Sequence, residues 1–134
     1  MEPHAFAEIR AQVEAELAAP LEARFARFAE EPLAAASLGQ VHRARSQGGR
    51  DLAVKVLYPG IERSVAVDLA MTRLALWLFD WIAIPDLMQV YRELRDSLLG
   101  EMDYLREGHA GEEIAANLAR DTELAGRIRV PRIH

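Results

Sequence analysis

Ala34-Ala35-Ala36-Ser37-Leu38-Gly39-Gln40-Val41-His42, followed by Leu52-Ala53-Val54-Lys55-Val56-Leu57, sets a lysine inside an apolar run just beyond a segment of small residues. An ammonium group taken out of water costs several kcal/mol unless it is paired, so an interior Lys55 calls for a carboxylate partner, a phosphate ligand, or both. The small residues ahead of it let successive backbone N–H groups approach an anion, and Gly39 is free to take a positive φ. Strand alternation puts Lys55 on one face with Ala53 and Leu57, while Leu52, Val54 and Val56 line the other. The pattern reads as nucleotide-phosphate chemistry. The competing readings are alanines that pack beneath a helix and an edge-strand lysine that snorkels to solvent.

Outward from this stretch, Phe6, Ile9, Val13 and Leu17 recur at helical spacing, and Leu21, Phe25 and Phe28 continue the period after Pro20. Two short helices are expected over residues 1–31, as an N-terminal extension to a domain covering 32–134. Val41 to Arg45 and the run ending at Leu57, joined through Gln47-Gly48-Gly49-Arg50, predict a hairpin with a glycine turn. Tyr58-Pro59-Gly60 ends the strand. Ile61, Val65, Leu69, Leu76 and Phe79 then predict a long helix that Pro85 stops. Leu87, Val90, Tyr91, Leu94, Leu98, Met102 and Leu105 make one continuous stripe, loosened at Gly108 and Gly111 before Glu112 to Leu124 resumes helical character. Arg129-Val130-Pro131-Arg132-Ile133-His134 reads as the start of a strand. The order is that of an α+β fold.

At 134 residues, 51% hydrophobic and 28% charged, the chain can bury a core of its own. A net charge of −5 and the lack of a basic run argue against nucleic acid as a partner. With no cysteine, disulfides, thiolate metal sites and cysteine nucleophiles are excluded. The greasiest stretch, Leu74 to Ile84, is broken by Asp80 and falls short of the roughly 20 residues of a membrane span, so a cytoplasmic protein is expected. Leu76, Trp77, Phe79, Trp81 and Ile82 could touch a membrane surface, but core burial explains them better, and Trp77 and Trp81 read as core or helix-contact residues.

In one continuous helix, Asp103 and Glu107 share a face away from the apolar stripe, and Glu101 stands about 120° from Glu107. Either the carboxylates serve two separate purposes or they are solvated charges paired with neighbours such as Arg106. His4, His42, His109 and His134 show no metal-ligand spacing, and no metal is assigned to them. Ser37 has no base nearby in sequence to make it a nucleophile.

Taken together, Pro32-Leu33-Ala34-Ala35-Ala36-Ser37-Leu38-Gly39-Gln40-Val41-His42, Val54-Lys55-Val56, Pro59-Gly60-Ile61 and Glu101-Met102-Asp103-Tyr104 with Glu107 resemble the UbiB/AarF family of atypical protein-kinase-like proteins, over about residues 20–134. The resemblance implies a kinase-like N-lobe in which the alanine-rich loop (Ala34, Ala35, Ala36, Ser37, Leu38, Gly39) replaces the glycine-rich loop of ordinary kinases. It implies that Lys55 contacts nucleotide phosphates and pairs with Glu107. It also implies that the E-x-D signature, Glu101 and Asp103, touches a helical extension or the nucleotide side of the cleft. Alanine in place of glycine stiffens such a loop. Two departures stand out. The K-x-G-Q signature is absent, since Ser37-Leu38-Gly39-Gln40 carries serine where lysine is needed. The catalytic-loop aspartate and the D-F-G magnesium ligand are absent as well.

The expectation is an N-lobe fragment of an atypical kinase or ATPase tied to ubiquinone and isoprenoid-lipid metabolism. It binds ATP without turnover, and magnesium is expected only in the full-length protein. Its partners would be the nucleotide and the missing C-lobe, with homo-oligomers from uncovered surfaces and peripheral membrane association reserved for the parent. A noncatalytic helical interaction module, with Lys55 merely structural, is the competing function.

Overall fold

The computed structural model describes residues 4–78, 86–120 and 128–134. Their elements run α1 (Phe6–Leu17), α2 (Leu21–Arg24), β1 (Phe25–Ala35), β2 (Gly39–Ser46), β3 (Asp51–Leu57), α3 (Ile61–Leu78), α4 (Leu87–Met102) and α5 (Tyr104–Arg120). The architecture is α+β, with one antiparallel sheet in the order β1-β2-β3. Two compact units divide the chain, Met1–Met71 and Thr72–His134, and α3 starts in the first.

In the first unit, Ile9 and Val13 of α1 pack with Leu21, Val56 and Tyr58, all buried. One ion pair ties α1 to α2, the Arg10 guanidinium lying 2.7 Å from Glu22 Oε1, and the same guanidinium lies 3.0 Å from Glu14 Oε1 one turn along α1. Glu14 Oε1 also accepts the Leu21 N–H at 3.0 Å, satisfying a donor at the start of α2. The Glu22 carboxyl sits below its ordinary range, first because of its own backbone N–H and then because of Arg10. Its contribution is present above the usual carboxylate pKa and fades as pH falls through the lowered value.

Phe25 and Phe28 depart from expectation: they lie on a strand, not on a helix. A register shift between Phe25 and Arg27 turns both rings toward the core, whereas a regular strand would put them on opposite faces. A bulged strand thus imitates a helical spacing. The expected hairpin forms, closed by Gly49 N–H donating to Ser46 O at 2.9 Å with Gly49 at φ 80°. Tyr58-Pro59-Gly60-Ile61 forms a type II turn: Ile61 N–H donates to Tyr58 O at 3.1 Å, and Gly60 supplies φ 74°. The start of α3 follows at once, with Ser64 N–H bonded to Gly60 O.

In the second unit, the single helix expected through residue 105 is two. Asp103 leaves the helical region at φ −87°, ψ 81°, and α5 begins at Tyr104. The expected stripe is not evenly covered: within α4 Tyr91 is buried and Leu94 is 53% exposed, and Leu105, beyond the break, is 80% exposed. Gly108 lies inside α5 and is buried; a Cβ there would stand 3.2 Å from Ile133 Cγ2, so its bareness makes room for the tail instead of loosening the helix. Ile128 forms an isolated bridge, and residues 129–134 carry no regular secondary structure where a strand was expected. Trp77 is 71% exposed rather than in a core; Phe79, Trp81, Ile82 and Pro85 lie outside the described residues.

Candidate functional site

The sheet register brings the two halves of the diagnostic stretch together. Ala34 is opposite Val41, and Val41 is opposite Lys55, so the three form one row across the sheet. At a strand spacing of about 4.8 Å, the Lys55 backbone lies roughly 10 Å from that of Ala34. Gln40, His42, Ala44 and Val56 are buried on the core side, leaving Val41, Ala53, Lys55 and Leu57 on the other face. Lys55 is exposed instead of buried, because α1 and α2 cover only the core side. An exposed ammonium keeps most of its hydration, so the desolvation cost of folding is small for it.

The alanine-rich loop is shorter than the sequence suggested. Ala34 and Ala35 belong to β1 and pair with Val41 and Gln40; Gly39 opens β2 opposite Leu57; only Ala36, Ser37 and Leu38 lie between the strands. Gly39 is not among the positive-φ glycines, which are Gly49 and Gly60 within the described residues. Ala36 N–H donates to Gly39 O at 2.8 Å and closes the turn. Tyr58 holds it from beneath: its N–H donates to Leu38 O at 3.0 Å, its hydroxyl reaches Ala36 O at 3.4 Å, and the ring is 2% exposed.

A buried polar chain continues from this support. His4 N–H donates to Gln40 Oε1 at 3.0 Å, Gln40 Nε2 lies 2.8 Å from His42 Nε2, and His42 Nδ1 lies 2.8 Å from Ala29 O. Both ends are fixed by backbone groups. The His4 N–H can only donate, so it sets the orientation of the Gln40 amide; the Ala29 carbonyl can only accept, so it puts the ring proton on Nδ1. His42 is therefore a neutral ring whose Nε2 accepts from Gln40. The His4 ring stacks on Tyr58 at 4.6 Å between centroids. This support from His4, Gln40, His42 and Tyr58 was not singled out from the sequence. The available signal was two polar residues, two apart, on the face that Ala44 and Val56 mark as core.

Glu101, Asp103 and Glu107 belong to the second unit, and all three are exposed. Glu101 lies in the last turn of α4, Asp103 stands between the helices, and Glu107 lies in the first turn of α5, so the single-helix phase relation among them does not hold. Asp103 has an evident local role: its Oδ1 accepts the Arg106 N–H at 2.9 Å, and its carbonyl accepts the Glu107 N–H at 3.1 Å, which makes it the N-cap of α5. Asp103→Ala is expected to destabilise the second unit by about 0.5–2 kcal/mol, with Asp103→Asn close to unchanged. Faster amide exchange in residues 104–107 of the alanine variant alone would check it. Among the described residues, no group of three or more His, Asp or Glu side chains is placed to hold a metal. No described helix is long and apolar enough to cross a membrane.

The residues around Lys55 suit a nucleotide: a cation, a turn of small residues, and an apolar strip of Val41 and Ala53. Comparison with known proteins establishes the family. The ABC1 atypical kinase-like domain profile matches residues 1–134. The chain is 35% identical to the uncharacterized protein sll1770 of Synechocystis over 126 residues, covering 91% of this chain and 21% of that protein. It is likewise 35% identical to the chloroplastic Protein ACTIVITY OF BC1 COMPLEX KINASE 7 of Arabidopsis thaliana over 125 residues, 91% of this chain and 17% of the relative. With the probable protein kinase UbiB of Pseudomonas aeruginosa it shares 33% identity over 133 residues, 92% of this chain and 23% of the relative. The chain thus spans about a fifth of the length of these relatives. The structure of Rv3197 of Mycobacterium tuberculosis, solved as an erythromycin complex, superposes with a TM-score of 0.78 at 29% identity, covering 97% of this chain and 32% of that one. By sequence and by fold, the chain belongs to the ABC1 atypical kinase-like family.

Proposed function

We propose that these residues form the nucleotide-binding part of an atypical kinase or ATPase whose full-length form acts in ubiquinone or isoprenoid-lipid metabolism. The observation that carries the reading is the row Ala34, Val41, Lys55, which joins the three-residue turn to a cation on one sheet face. In this reading the Ala36–Leu38 turn covers the phosphates, the Lys55 ammonium neutralises them, and Val41 with Ala53 gives the base an apolar seat. The family resemblance gives Glu107 the part of orienting the lysine, and Glu101 and Asp103 that of touching the nucleotide side or a helical extension. A nucleoside triphosphate bound there would supply the phosphoryl group, with magnesium expected in the full-length protein. The protein's own task here is to bind and orient, since phosphoryl transfer also needs a catalytic-loop aspartate and a metal-binding aspartate.

The test is calorimetric titration of the 134-residue chain with ADP. Lys55→Met is expected to weaken binding by about tenfold or more, the loss of one charge-assisted phosphate contact, and Glu107→Gln by less. Equal affinity in Lys55→Met and the native chain would overturn the reading and favour a helical interaction module, for which the exposed Trp77 and Leu105 would be the natural contact points.

A further inference from the structure

We propose that the same sheet face carries a second anion site at its opposite end, next to the β2–β3 turn, and that it takes a phosphate or pyrophosphate group. The chain as a whole has a net charge of −5, yet this end gathers three guanidinium groups. Arg27 of β1 stands opposite Arg45 of β2, Arg45 stands opposite Asp51 of β3, and Arg43 lies two residues back along β2 on the same face. A depression of about 220 Å³ opens there, lined by Arg27, Ala29, Arg43, Ala44, Arg45 and Asp51.

Like charges directly opposite on neighbouring strands destabilise a sheet, so Arg27 against Arg45 is a local cost that an anion between them would offset. Asp51 answers only part of it. The Arg45 Nε donates to Gly49 O at 3.0 Å and lies 3.7 Å from Asp51 Oδ1, which fixes that guanidinium in place. Arg27 and Arg43 make no ion pair among the described residues. Two uncommitted forks beside one anchored fork suit a tetrahedral oxyanion, because a guanidinium presents paired N–H donors to two phosphate oxygens at once. The depression is concave and small, which favours a phosphate-sized group over a macromolecular surface. Its far side is set apart from Lys55: Arg27 and Arg45 stand four residues beyond the Val41 that faces Lys55, about 13 Å along the strand, with Arg43 between, about 7 Å from that row. The proposal therefore stands or falls independently of the nucleotide reading.

The probe is inorganic pyrophosphate, titrated into the isotope-labelled 134-residue chain at constant ionic strength and followed by amide chemical shifts. Saturable shifts are expected at residue 27 and over 43–51. The Arg27→Gln, Arg43→Gln double variant should weaken that response by about tenfold or more, while Arg→Lys at both positions falls between, keeping the charge but losing the paired donors. Both positions are exposed, so the glutamine variant should melt at or slightly above the native temperature, since it also relieves the Arg27–Arg45 repulsion, which a thermal scan verifies. The proposal is overturned if sodium chloride at matched ionic strength gives the same shifts, if the double variant binds as well as the native chain, or if the shifts are confined to residues 36–38 and 55.

Discussion

Ile9→Ala is expected to lower the stability of the first unit by about 2–5 kcal/mol, the range for emptying a large aliphatic position that cannot collapse. Ile9 is fully buried and packs with Leu21, Val56 and Tyr58, joining α1, α2 and β3 in one cluster. A small domain holds only about 5–15 kcal/mol in all, so the loss is a large share of it. For a unit of this size, it corresponds to a melting temperature lower by roughly 10 °C or more. The effect should reach the candidate site, because Tyr58 belongs to that cluster and also holds the Ala36–Leu38 turn. A melting temperature within about 4 °C of the native value would mean that α1 is not part of the core. Ile9→Val, which removes a single methylene, should cost about 0.5–1.5 kcal/mol and serves as the graded control.

His42→Leu tests the buried polar chain and should cost about 2–4 kcal/mol, although leucine is apolar and similar in bulk. The loss comes from what the ring leaves behind: Gln40 Nε2 without its acceptor and the Ala29 carbonyl without its donor, both out of reach of ready hydration. Replacing Gln40 by leucine alone orphans the His4 N–H and removes the donor to His42 Nε2. The Gln40→Leu, His42→Leu double variant should therefore be less destabilised than the sum of the two, since each single change strands a group that the other removes. Denaturant titration of the three variants measures it, and strict additivity would show that the two side chains do not act as a pair.

Much of the site was readable from residue types. The spacing of Leu52 to Leu57 gave the strand and the face of Lys55, because alternation follows from backbone geometry alone, and Gly49 and Gly60 fall where turns need positive φ. The failures share a cause. Phe25 and Phe28 fit a helix as well as a bulged strand, and a bulge is set by pairing with β2, which local spacing does not encode. Asp103 sat inside an apparently unbroken apolar stripe, and whether it caps a new helix depends on the Arg106 N–H it reaches. Gly108 was read as a weak point because glycine lowers helix propensity, whereas the side chain of Ile133, distant in sequence, uses the space.

Family, strand order and the cation at the centre of the candidate site were determined by the sequence itself, since they follow from alternation, turn residues and the order of motifs. Tertiary structure decided that Lys55 is exposed, that the alanine-rich loop narrows to three residues, and that Gln40 and His42 support it from the buried side. The reason is physical: periodicity reports which residues share a face, but only the packing of other elements decides which face is covered and which polar groups must find partners inside.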